Sequence, residues 1–263
     1  MTVREPAVAG KFYPSDPDTL RTLVGSLLAD VEVPVDEALA PAYVVPHAGY
    51  RFSGPTAALV YARLAAHAER IARVLLIGPS HFVRLAGCAV STVDRWATPL
   101  GEVPLDAIGR NTLVEAGAAE ANDEPHQPEH SLEVQVPFLQ AVLTPGTPIL
   151  PVAAGPANAD AVADLLAVGI RRPGTVLLCS TDLSHYHPDA AARAQDAATI
   201  RAVLERSPDR IGVRDACGVF GLRGLTTLAA RAGWTPRLLG YATSADTIGP
   251  PDRVVGYAAF ALS

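Results

Sequence analysis

The sequence predicts an α/β fold in a single domain over 1–263, built on a central, mainly parallel sheet with helices on both faces. Three observations carry that expectation. Short β-branched runs alternate with longer helical patterns, and strands separated by helices favour parallel pairing. Hydrophobic residues make up 49% of the 263 and charged residues only 18%, the opposite of a disordered composition. The 23 prolines and 21 glycines are spread along the chain as turn markers, with no internal repeat and no Gly/Ser linker to divide it.

The elements follow in order. Residues 17–31 place Leu20, Leu23, Val24, Leu27, Leu28 and Val31 on one helical face, and Asp16-Pro17 supplies an N-cap and an N1 proline. Tyr43-Val44-Val45 is the first candidate strand, followed by a helical pattern over 55–68 and a strand over 73–77. A strand over 88–92 precedes helical patterns over 104–116 and 130–143. A strand over 147–152, a helix over 158–169 and a strand over 175–179 come next. Helices over 188–206 and 218–232 lead to closing strands over 237–241 and 253–261.

Charge and cysteine content exclude several classes. The formal net charge is −6, and the basic residues are scattered with no five-residue Lys/Arg cluster, which argues against a nucleic-acid or anionic-lipid surface. No uncharged apolar run approaches 18 residues, so no membrane span is expected. The N-terminal MTVREPAVAGKFYPSD is charged and broken by proline, unlike a secretory signal, and a cytoplasmic location is the default expectation. Cys88, Cys179 and Cys217 are odd in number and widely spaced, which offers neither a disulfide framework nor a CxxC knuckle.

The seven histidines are informative by position. Three candidate strands run into histidine-bearing loops: Pro46-His47-Ala48-Gly49-Tyr50, Gly78-Pro79-Ser80-His81, and Ser180-Thr181-Asp182-Leu183-Ser184-His185-Tyr186-His187. Loops at the carboxyl ends of parallel strands converge on ligand sites, and imidazoles gathered with carboxylates suit a transition metal. HExxH, a GxSxG elbow and a phosphate loop are all absent. Glu129-His130-Ser131-Leu132-Glu133 opens a helical pattern; Glu129 and His130 read either as helix-capping surface groups or as rim residues of the pocket, acting in acid/base chemistry or supporting a ligand histidine. Cys88 and Cys179 lie in apolar strand patterns and read as core. Cys217, just before a helical pattern, reads as packing, with a pocket-facing thiol as the alternative. His67 reads as exposed, His126 as part of a lid loop, and His187 as a capping residue or a pocket residue. Tyr50 and Tyr186 flank matched histidines and are expected to line the pocket.

Together these segments resemble the Memo proteins, called AmmeMemoRadiSam system protein B in prokaryotes. The resemblance rests on AGKFYP (9–14), PHAGYRFSG (46–54), LIGPSHF (76–82), ATPLGEV (97–103), EHSLEVQVPFLQ (129–140), STDLSHYH (180–187), Ala216-Cys217-Gly218 and VVGYAAFAL (254–262). It implies a fold similar to the class III extradiol dioxygenases, which cleave catechol rings with non-haem Fe(II). By motif, His47 and His81 match the two metal-ligand histidines, and Asp182 and His185 match pocket residues. Animal members of the family supply a cysteine as third ligand from the loop after a YAxS strand. Here Tyr241-Ala242-Thr243-Ser244-Ala245-Asp246-Thr247-Ile248 contains none. Asp246 is the nearest substitute and would complete a two-histidine, one-carboxylate set; the alternative is a solvated turn residue.

The expectation that follows is a divalent metal, Fe(II) foremost with Zn or Cu as alternatives, in a dioxygenase-like oxidoreductase. It would act on an unidentified small molecule or modified side chain. His185 or His130 would move protons, and Asp182 would orient the His185 imidazole. The rival is a non-enzymatic module that uses the relic pocket to hold a peptide or protein, in company with radical-SAM and AMMECR1-like partners.

Overall fold

The computed structural model describes residues 1–263. Twelve strands are formed: β1 (Val3–Arg4), β2 (Ala42–Val45), β3 (Arg73–Pro79), β4 (Cys88–Val90), β5 (Arg95–Thr98), β6 (Gly101–Pro104), β7 (Glu120–Ala121), β8 (Ile149–Ala154), β9 (Thr175–Ser180), β10 (His185–His187), β11 (Pro236–Thr243) and β12 (Val254–Leu262). Seven α-helices join them: α1 (Pro17–Ala29), α2 (Tyr50–Ala65), α3 (Ala107–Glu115), α4 (Val136–Val142), α5 (Ala159–Gly169), α6 (Asp189–Leu204) and α7 (Val219–Ala232).

A nine-stranded sheet runs in the order β10-β12-β2-β9-β3-β8-β4-β7, with β11 also paired to β12. Its four middle strands, β2, β9, β3 and β8, are mutually parallel. The sheet is nevertheless mixed, because β12 pairs antiparallel with β2, β10 and β11, and β4 pairs antiparallel with β8. The hydrophobic pattern marks a strand as buried without marking its direction, and the short β11–β12 connection admits only the antiparallel partner.

Alternation along the middle strands feeds two cores. Tyr43, Val45, Val74, Leu76 and Leu178 face one way and pack with α1, α2 and α4. Val44, Leu75, Ile77, Leu177 and Cys179 face the other way and pack with α5 and α7. The expected helices on both faces are present.

Two predicted elements begin later than the pattern suggests. The helix expected over 104–116 starts at Ala107 because Asp106 caps it, its side chain accepting from the Gly109 N–H. The helix expected over 130–143 is replaced by a 3₁₀ turn, Glu133–Gln135, followed by α4. The Glu129 carboxylate accepts the N–H groups of His130 and Ser131, which holds that stretch open as a loop. The β1–β5–β6 sheet was not expected; the Thr98–Gly101 turn closes its hairpin within the ATPLGEV segment. No helix is long and apolar enough to cross a membrane.

A buried charge network ties the N-terminus to this loop. Arg4 and Glu133 form an ion pair at 2.7 Å with both side chains 1% exposed. Arg4 also donates to the carbonyls of His126 (2.7 Å) and Glu129 (2.8 Å) and stacks on Trp96. Glu133 accepts in turn from the backbone of Ala7 and Val8 and from the Tyr13 hydroxyl.

Candidate metal centre

Strands β2, β9 and β3 are neighbours, so the loops leaving their carboxyl ends emerge side by side. His47 follows β2 and Asp182 follows β9, while His81 follows β3; Cys217 enters from the turn before α7. The ring centroids of His47 and His81 lie 5.4 Å apart. His130 stacks on His81 at 4.7 Å and on Phe12 at 4.6 Å.

Hydrogen bonds fix the proton on His47. Ser180 Oγ donates to the Ser131 carbonyl (2.7 Å) and accepts from the Gln135 amide (2.9 Å). With its proton committed, Ser180 can only accept from His47 Nδ1 at 2.9 Å. Nε2 therefore carries the lone pair, and it accepts from the Cys217 thiol at 3.2 Å. Burial, and then the neighbouring imidazoles of His130, His81 and His185, push the His47 pKa well below its ordinary value, so the ring is neutral.

His81 is held from behind. The Glu129 carboxylate takes its backbone N–H at 2.6 Å and its Nδ1 at 2.9 Å, which leaves Nε2 for the pocket. Burial alone would raise the Glu129 carboxyl, but the hydrogen bonds and charge of His81, with the Ser131 N–H, outweigh it and hold it at about 2. A carboxylate behind a histidine in this way orients the ring and raises its basicity toward a metal.

Ligand atoms of His47, His81 and Cys217 all lie within 4.8 Å of one another, and a second such group joins His81, Glu129 and His130. Two imidazoles and a thiol form a donor set that fits a transition metal. Burial and the Asp182 charge raise the Cys217 thiol pKa, so in the metal-free protein the sulfur keeps its proton; a bound cation would reverse that balance. The Asp182 N–H points at the same sulfur, at 3.2 Å.

The cluster lies on the wall of a 610 Å³ cavity, shared with Asp182, His185 and Tyr186. Asp182 Oδ1 accepts the His47 backbone N–H at 2.7 Å, and burial raises its carboxyl to about 6 against the pull of His185. Burial likewise lowers His130 to about 4, with Glu129 opposing, and its Nδ1 is buried without a partner.

Several expected roles need correction. Asp246 is not placed as a ligand: its carboxylate takes both contacts from Arg193 (2.8 and 2.9 Å) and closes a capping box with Thr243. Cys217, expected as packing or pocket lining, instead brings its Sγ to 3.2 Å from His47 Nε2. Tyr50 begins α2 and turns into the core, where its hydroxyl donates to the Val134 carbonyl. Glu129 stands behind His81, fully buried, and does not reach the cavity. Asp182 does not orient His185, whose Nδ1 bonds the Leu183 carbonyl at 2.8 Å. His126 is a core residue bonded to the Ala89 carbonyl, not a lid. His67, expected as exposed, is half-buried, with Nε2 on the Glu37 carbonyl. Sequence reasoning missed Ser180 and Gln135, although both are polar residues inside apolar stretches, the usual mark of a satisfied buried network.

The chain's relatives agree with this arrangement in extent. A family model described as Memo-like protein matches residues 4–261. MEMO1 family proteins are similar along almost the whole length. That of Methanopyrus kandleri is 35% identical over 97% of both chains, and those of Methanococcoides burtonii and Aquifex aeolicus are 34% identical over 98% of both. With the match running through every strand and loop that builds the histidine cluster, the chain belongs to the Memo family.

Proposed function

We propose that the chain holds a transition metal through His47, His81 and Cys217 and uses it in the oxidation, with dioxygen as the electron acceptor, of a small molecule bound in the adjoining cavity. The observation that carries this reading is the convergence of the three ligand atoms within 4.8 Å at the cavity wall. A thiolate beside two imidazoles shifts the preference away from the Fe(II) expected of a carboxylate set and toward Cu(I), with iron still accommodated; Zn(II) suits the same donors but is redox-inert and would leave the centre unable to oxidise. Copper or iron, when bound, would supply one-electron redox chemistry.

The chain's own residues would handle protons and water. Two groups on the cavity wall can accept a proton from a bound molecule: His130, whose pKa burial lowers to about 4, and Asp182, with its carboxyl raised to about 6. His185 carries its proton on Nδ1, fixed by Leu183, which leaves Nε2 free to accept. Phe12 and Phe52 supply apolar lining beside the histidines.

Metal analysis of purified protein tests the reading. One Cu, Zn or Fe per chain is expected in the wild type, with none in His47→Ala or His81→Ala and metal-dependent oxygen uptake lost with it. Stoichiometric metal in both histidine variants would refute it. A second reading, a binding module for a peptide of a partner protein, is favoured by Phe82 and Tyr186, each 62% exposed beside the histidine loops. Peptide binding that persists unchanged in the metal-free variants would select it.

A further inference from the structure

The cavity has a cationic side that the metal ligands do not use. Among the residues that line it, Arg253 is the sole lysine or arginine, and Asp182 is the sole acid. The Arg253 guanidinium forms no ion pair or hydrogen bond with the protein. It lies over the Tyr186 ring instead, 4.4 Å from its centroid. Cation–π stacking of this kind fixes the plane of the guanidinium while leaving its N–H edge free.

The platform under it is strained. Tyr186 has φ +63°, one of two non-glycine residues in the chain with positive φ. A bulky aromatic rarely adopts that conformation, and here its ring is 62% exposed, so core packing does not account for it. The backbone distortion falls where β10 shifts register against β12, and its result is a ring presented to Arg253 at the cavity wall. Strain kept at a pocket without a packing reward is characteristic of a binding residue.

The geometry points to Arg253 as the anchor for a carboxylate on the molecule that occupies this cavity. The inference rests on the reading of the cavity as a substrate pocket and names the class: an apolar or aromatic monocarboxylic acid. A single planar fork matches a carboxylate in shape and charge. With no second lysine or arginine beside Arg253, and Asp182 opposing further negative charge, a dianion such as a phosphate ester is disfavoured at this end of the cavity. Phe12, Phe52, Val255 and Tyr257 supply apolar wall for the body of the acid, and 610 Å³ lies within the range of small-molecule sites.

The test compares 4-phenylbutanoate with its neutral isostere 4-phenylbutanamide, titrated by saturation-transfer NMR into metal-free protein. The acid is expected to bind at least about 10-fold more tightly than the amide, as a charge-assisted pair requires. Arg253→Gln should bring the acid down to the amide's affinity and leave the amide unchanged. Arg253→Lys should recover part of the preference, since it keeps the charge and loses the fork. Equal affinities in the wild type, no detectable binding of the acid, or a preference that survives Arg253→Gln would each overturn the proposal. Because metal is absent throughout, failure of the metal reading would show in the metal analysis and not here.

Discussion

Replacing Arg4 by Met isolates what the buried charge network contributes. The side chain volume is roughly kept, but Glu133 loses its only charged partner, and the carbonyls of His126 and Glu129 lose their donors. Removing one member of a buried pair leaves an uncompensated charge, at a loss of about 3–5 kcal/mol. Both side chains are 1% exposed, so water cannot make good the loss. We expect about 4 kcal/mol in urea denaturation, a large share of a domain stability of about 5–15 kcal/mol. At about 2–4 °C per kcal/mol, the melting temperature falls by roughly 10 °C. Glu133→Gln removes the charge but keeps the acceptor for Tyr13, and the double variant should be less destabilised than the sum of the two by about 2 kcal/mol. Because Arg4 also fixes the loop that carries Glu129 behind His81, metal affinity should fall about 10-fold, as for other groups that act behind a ligand. A single-variant loss under about 1 kcal/mol, or a coupling under about 0.5 kcal/mol, would refute the reasoning.

Cys217→Ser should weaken Cu(I) binding by at least about 100-fold while changing Zn(II) less, since a hydroxyl is a harder and poorer ligand than a thiolate; competition titrations measure both. Asp246→Ala should leave metal affinity at the wild-type value and lower stability by about 1 kcal/mol through loss of the capping box, seen by calorimetry. His126 carries a pH dependence: burial, then the Arg4 charge, lower its pKa from 6.5 to about 4, so between those values the unfolded chain takes up a proton that the folded one refuses. Stability therefore falls as pH drops through this window, by about 2 kcal/mol at pH 5 from this residue alone. His126→Gln should flatten that slope in denaturation curves collected at pH 7 and pH 5, and an unchanged slope would count against it.

The strand-then-histidine repeat was readable because it needs only local pattern and one topological rule. His47, His81, Asp182 and His185 accordingly meet at one cavity. The third member of the cluster depended on tertiary structure: Cys217 reaches His47 across 170 residues, and although Ala216-Cys217-Gly218 belongs to the family pattern, no periodicity or strand-end position marks the approach. Asp246 fails as a ligand for a local reason that was available, since Thr243-x-x-Asp246 has capping-box spacing and the carboxylate is consumed there. Tyr50 stands three residues after His47, but α2 begins at that point and its first turn carries the ring into the core. The left-handed backbone of Tyr186 and the Arg4–Glu133 pair leave no trace in periodicity or motif. Gly78 shows how tightly the rest is fitted: a Cβ there would lie 2.8 Å from Leu132 Cδ2 and 3.1 Å from the Oγ of Ser131, whose carbonyl holds Ser180 and hence His47 in place.

The strand order also sets a timetable during synthesis. β2 sits between β9 and β12, so its neighbours in the sheet are translated long after it. At roughly 5–20 residues per second, the 170 residues from His47 to Cys217 take roughly 10–30 s to emerge. Until β9 is made, β2 is an apolar segment with neither edge paired, the kind of nascent segment that chaperones shield. The metal proposed for this centre therefore has no complete donor set until Cys217 has emerged.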